Sequence, residues 1–107
     1  MATLWIGEAS RLVQLPNVSG QIFPLPLDLE QVVSIGGGSA QSAPFGAGTT
    51  NPNPMSLMLI RLHCDVACSV SVGANPVATV LNTRLAPNQT EYFGVYPGQR
   101  IAVIANP

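Results

Sequence analysis

His63, Cys64 and Cys68 fall within a six-residue window, and imidazole and thiolate are the soft donors that hold zinc. The set is too small. A structural zinc site takes four ligands, usually as two short-spaced pairs, whereas this chain has one histidine and two cysteines in total. On a strand, alternation also sends His63 to the face opposite Cys64. No metal is expected. The two cysteines are expected to be small core residues kept as free thiols in a reducing compartment, with a cross-strand disulfide as the alternative.

Other chemistries fail on the same kind of count. A nucleophile needs a base and the base an orienting partner, yet nothing in the spacing ties His63 to a serine or an aspartate. Glu8, Asp28, Glu30, Asp65 and Glu91 offer carboxylate pairs of the kind glycoside hydrolysis uses, but almost any domain offers such pairs. Gly36-Gly37-Gly38 lacks the spacing of a phosphate loop, the chain has no lysine, and no helix is expected after it to lend a dipole. The expectation is therefore a protein that is not an enzyme, with no catalytic, cofactor-binding or metal-binding residue and no cofactor.

Binding classes are narrowed by charge. Four arginines at 11, 61, 84 and 100 within a net charge of −1 make no basic stripe, so neither DNA nor RNA is an expected partner. No strictly apolar run, Leu57-Met58-Leu59-Ile60 included, approaches the ~20 residues that cross a bilayer, and the first residues show no export signal. No membrane association is expected. Only 8% of residues are charged, against a usual ~25%, so little repulsion keeps copies apart and self-association is favoured.

The elements that would position any site have the pattern of strands. The 107 residues suit one domain, and 47% hydrophobic content argues for folding despite ten glycines and ten prolines. From Leu57 to Cys64 the sequence alternates, with Met58, Ile60, Leu62 and Cys64 on a core face and Arg61 and His63 on the other. Cys68, Val70 and Val72 alternate with serines, and the short turn at Asp65-Val66-Ala67 predicts a β-hairpin between the two runs. Val77–Leu81 is β-branched enough for a further strand, with Asn82 and Thr83 as punctuation after it. Glu91–Tyr96 and Arg100–Ala105 complete the series, joined by Tyr96-Pro97-Gly98-Gln99, which fits a type II turn. The predicted fold is all-β, a small antiparallel β-sandwich or jelly-roll-like barrel, with a β-core over residues 31–107.

The first thirty residues are less regular. Thr3–Ile6 and Arg11–Leu15 have strand character, but Pro16, Pro24 and Pro26 interrupt the next stretch, because proline donates nothing to a ladder. Residues 1–30 are thus expected as an extended, proline-interrupted segment. The small-residue stretch from Gly36 to about Pro54 is expected as a surface loop or as a contact with another chain. Trp5, Ile6, Phe23, Leu25 and Leu27 are costly to leave in water, so this apolar series either crosses its own sandwich or docks on a partner, and in the second case it is the candidate assembly interface.

Four runs carry a resemblance: Gly37 to Phe45, Ile60 to Ala78, Leu85 to Phe93, and Val95 to Ile104. Over residues 31–105 the chain resembles small structural proteins of tailed bacteriophages, of the kind encoded near capsid genes. The resemblance implies a non-enzymatic β-sandwich that decorates or cements the head, partnered by the major capsid protein. It implies a homo-oligomer, with a trimer the favoured order, made in the host cytoplasm and located on the virion head surface. The alternatives are a carbohydrate- or receptor-binding module of a tail or spike, with Trp5, Tyr92 and Tyr96 as stacking faces, and a head–tail joining component.

Overall fold

The structure is a computed structural model that describes residues 2–9, 13–14, 21–22, 29–46 and 57–107. Among these residues there is no helix, and ten strands form: β1 (Thr3–Ala9), β2 (Val13–Gln14), β3 (Gln21–Ile22), β4 (Leu29–Ser34), β5 (Ala40–Gln41), β6 (Met58–Cys64), β7 (Cys68–Gly73), β8 (Thr83–Leu85), β9 (Thr90–Val95) and β10 (Arg100–Ala105). One four-stranded sheet runs β4-β1-β6-β9 and the other β5-β10-β7-β8, every pairing antiparallel, while β2 and β3 pair separately. The two four-stranded sheets pack into the expected β-sandwich.

Alternation fills the space between them. Leu4 and Ile6 from β1, Ile60, Leu62 and Cys64 from β6, and Cys68, Ile101 and Val103 from the facing sheet are all essentially excluded from solvent. By parity the odd-numbered positions of β1 and β6 take the outer face, where Trp5 is exposed but Gly7 and Ala9 are buried as well.

The turn at 65–67 is not a hairpin. β6 and β7 belong to different sheets, so the chain arches across the core instead of folding back within one ladder. Both arrangements point Cys64 and Cys68 inward, which is why alternation alone does not separate them. The connection from β8 to β9 also changes sheet, through a turn in which Pro87 is followed by Asn88 at φ 61° and Gln89 N–H donates to Ala86 C=O at 3.1 Å. The turn predicted at 96–99 is present, with Gly98 at φ 89° and Gln99 N–H donating to Tyr96 C=O at 3.1 Å.

Three further expectations are corrected. Val77–Leu81 forms no strand: it belongs to a loop between β7 and β8, and Thr83, expected as punctuation, begins β8 instead. The stretch after Gly36 is not simply a surface loop, because Ala40–Gln41 pairs with β10 and Phe45 inserts into the core at 2% exposure. The extended-segment reading of residues 1–30 does not hold at its start. β1 lies between β4 and β6, in register with Glu30 and Arg61 at Gly7, so residues 3–9 belong to the core.

Neighbouring positions on β1 should therefore respond very differently to truncation. Ile6→Ala, at 2% exposure, is expected to cost about 2–5 kcal/mol in urea unfolding, and Trp5→Ala less than half of that. Equal losses at the two positions would contradict this placement of β1.

Candidate functional surface

The outer face of the β4-β1-β6-β9 sheet is assembled by register. Trp5 stands opposite Val32 on β4 and His63 on β6, and His63 stands opposite Thr90 on β9. The next row runs Glu30, Gly7, Arg61 and Tyr92 across the same four strands. Because Leu4 and Ile6 point inward, Trp5 and Gly7 must face outward with all of their cross-strand neighbours. Trp5 is 42% exposed, Val32 63% and Tyr92 56%, an unusual amount of apolar and aromatic surface for one sheet face.

Gly7 supplies no side chain to its row, and a shallow depression of about 230 Å³ opens there, walled by Trp5, Val32, Glu30 and Arg61. Neither the Glu30 carboxylate nor the Arg61 guanidinium has an ion-pair or side-chain hydrogen-bond partner among the described residues. Two strand spacings, about 9–10 Å, separate their backbones, so the two opposite charges flank the apolar centre without neutralising each other. In the row above, the Trp5 and His63 rings meet at 5.8 Å with a 46° tilt, and His63 Nδ1 lies 2.8 Å from Thr90 Oγ1.

Of the predicted interface residues, Trp5 lies on this face. Ile6 does not, because strand alternation turns it into the core; both could not share one contact surface while β1 is a strand. Phe23, Leu25 and Leu27 lie outside the described residues. Val32, Glu30 and Arg61 are not among the residues that sequence reasoning singles out for the interface. Their membership comes only from the pairing of β1 with both β4 and β6, a long-range fact that no local pattern carries.

A second apolar surface lies on the other side of the sandwich. The loop between β7 and β8 crosses the outer face of the second sheet, held by Gln41 Nε2 donating to Pro76 C=O at 2.7 Å, by Ala78 N–H donating to Ser39 Oγ at 2.8 Å, and by Asn106 Nδ2 donating to Val80 C=O at 3.2 Å. Ala78 is tucked underneath, while Val77, Val80 and Leu81 face solvent, Leu81 at 92% exposure. A wider depression, about 520 Å³ near Val66, Ala67 and Pro87, is mostly apolar, and its two charges are engaged: Asp65 Oδ1 accepts from Thr3 N–H at 2.8 Å and Arg84 Nε donates to Asn106 C=O at 3.1 Å.

Thr90 and His63 resemble a nucleophile with its base, but they sit on an open sheet face, and among the described residues no carboxylate bonds the second ring nitrogen. Among the described residues, no three histidine, cysteine or acidic side chains converge to hold a metal ion. The chain matches no protein-family model, and comparison with curated proteins and with solved structures gives no match.

The cysteines are free and buried beneath the arch. Cys64 Sγ donates to Ala86 C=O at 3.1 Å, tying the arch to the turn between β8 and β9. Burial above all, then the neighbouring Cys64, pushes the Cys68 thiol from 9.0 up to about 12. The folded chain therefore holds this proton more tightly than the unfolded chain. Stability from this group is intact below pH 9 and drains away between pH 9 and 12. Cys68→Ala should show a flatter stability profile than wild type across that window, the difference growing by at most about 1.4 kcal/mol per pH unit. Parallel profiles in urea titrations would contradict a buried, protonated Cys68.

Proposed function

We propose that this chain is a non-enzymatic structural protein of a phage virion, decorating or cementing the head through contacts with the major capsid protein and with copies of itself. The observation that carries the reading is the pair of exposed apolar surfaces on opposite sides of one sandwich, Trp5 with Val32 on one and Val77, Val80 and Leu81 on the other. A molecule with two such sides can touch the lattice with one and a neighbouring subunit with the other. Low charge suits this role, because repeated neutral contacts carry no electrostatic repulsion from copy to copy. Each contact can be weak, since many copies on one lattice act with high effective concentration.

A second reading is favoured by a specific feature. Trp5 and Tyr92 share a sheet face with Arg61 and Glu30, so aromatic faces and polar groups stand together as a sugar-binding module would need them. Tyr96, the third stacking candidate, is 46% exposed just past the end of β9.

Copy number separates these roles. Quantitative mass spectrometry of purified virions should find the protein on the order of hundreds per head, as repeated lattice occupancy demands. A Val80→Ser, Leu81→Ser double variant should reach heads at a clearly lower occupancy. A few copies per particle, together with glycan-array binding lost in Trp5→Ala, would replace the decoration reading with the sugar-binding one.

A further inference from the structure

We propose that the outer face of the β4-β1-β6-β9 sheet binds the same face of a second copy, about a two-fold axis running along β1. This rests on the reading that the chain works through protein contacts, and names one contact and its partner. The starting point is the row Glu30, Gly7, Arg61: the two charges are neighbours of Gly7 on opposite sides, one strand away each. Rotating a second copy by half a turn about an axis lying over β1 exchanges the two sides. Glu30 of one copy then stands over Arg61 of the other, and the reverse pair forms by symmetry. The face is thus complementary to itself in charge, which is the condition an isologous contact must meet.

The rest of the face agrees with that axis. Gly7, buried at the floor of the depression, puts no side chain between the flanking groups, so the side chains around it are the ones that meet across the axis. Trp5 lies on the axis and meets its counterpart, the arrangement in which aromatic rings stack or tilt against each other. Val32, 63% exposed, comes over His63 of the second copy, and the reverse. Both charges are available for such a contact, since neither is engaged among the described residues.

Size sets the strength. Three strands, β4, β1 and β6, overlap about this axis, and at about 4.8 Å spacing and about 3.3 Å rise over six residues they give a patch of about 10 by 20 Å, small beside the ~800 Å² per partner of a standard interface. The contact is therefore weak in free solution and firm only where copies are held close. It joins copies in pairs, so the trimer implied by the resemblance would be built through other surfaces.

The test is a charge exchange in the full-length protein, read by sedimentation equilibrium up to millimolar concentration, with circular dichroism to check each fold. Wild type should dimerise, and Arg61→Glu or Glu30→Arg alone should weaken dimerisation at least about tenfold, because each substitution sets like charges face to face twice. Mixing the two single variants should create a heterodimer at least about tenfold tighter than either variant with itself, and the double variant should regain the wild-type constant. Raising the salt concentration should weaken the wild-type dimer and leave no difference among the variants. Single variants that associate as wild type does would overturn this face while leaving an oligomeric structural protein intact. A mixture that stays monomeric overturns the proposal directly. Wild type that is monomeric throughout overturns it too, and removes the self-contact from the proposed function.

Discussion

The pairing of β1 with β6 is the contact on which the rest of the sandwich depends. It joins residues nearly sixty positions apart, Leu4 to Cys64 and Ile6 to Leu62, and it is the centre of a sheet whose two remaining strands attach one to each side. Closing so long a loop costs conformational entropy that only burial can offset, and the inward residues of both strands are among the least exposed in the molecule. With β1 and β6 fixed in register, parity decides everything else on the sheet. A slip of β1 by one residue against β6 would bring Trp5 into the core and turn Leu4 and Ile6 out, so the outer face is specified as strictly as the inner one.

The same constraint explains how much of the fold is legible in the sequence. Where a strand alternates over its whole length, as Met58–Cys64 does, both its existence and its buried face can be inferred locally. The turn at Pro97-Gly98 is equally legible, because proline and glycine each fix one backbone angle. What local sequence lacks is the plane in which a turn bends. Asp65-Val66-Ala67 signals a reversal and is silent on whether the next strand joins the same sheet or the opposite one, since inward residues stay inward in both. Val77–Leu81 departs from expectation for a related reason: β-branched residues favour strands only where a partner and a half-buried surface exist, and here the loop is held over the sheet by side-chain bonds from Gln41, Ser39 and Asn106.

The candidate surface is half legible. Trp5 stands out as a large apolar residue, and alternation assigns Arg61 and His63 to the solvent side of their strand. That these three share a face, with Glu30 and Val32 completing it, depends on which strands are neighbours. Grouping Trp5 with Ile6 reflects hydrophobicity without parity, and on a strand parity dominates: adjacent residues face opposite ways whatever their affinity for water.

A charge-poor sandwich with open sheets has a further problem, since any exposed edge strand can recruit another chain through its unpaired backbone. This one manages its edges separately. β5 and β8 are only two and three residues long. At β4, the Gln31 amide donates to Ala43 C=O at 3.5 Å and accepts from Ala43 N–H at 3.0 Å, placing the segment around Ala43 alongside the strand. β9 carries Glu91 on the inward side of its edge, opposite Leu62, where an added strand would have to bury a carboxylate. At its other end Gly94 has Leu57 packed so closely that even a Cβ would sit 3.0 Å from it. With the edges short, occupied or guarded by charge, association through backbone pairing is disfavoured on all four. The sheet face and the β7–β8 loop carry no such protection. For a protein so lacking in charged side chains, that asymmetry directs self-contact to side-chain surfaces of defined register, where geometry can limit assembly, and away from edges, where nothing would stop it.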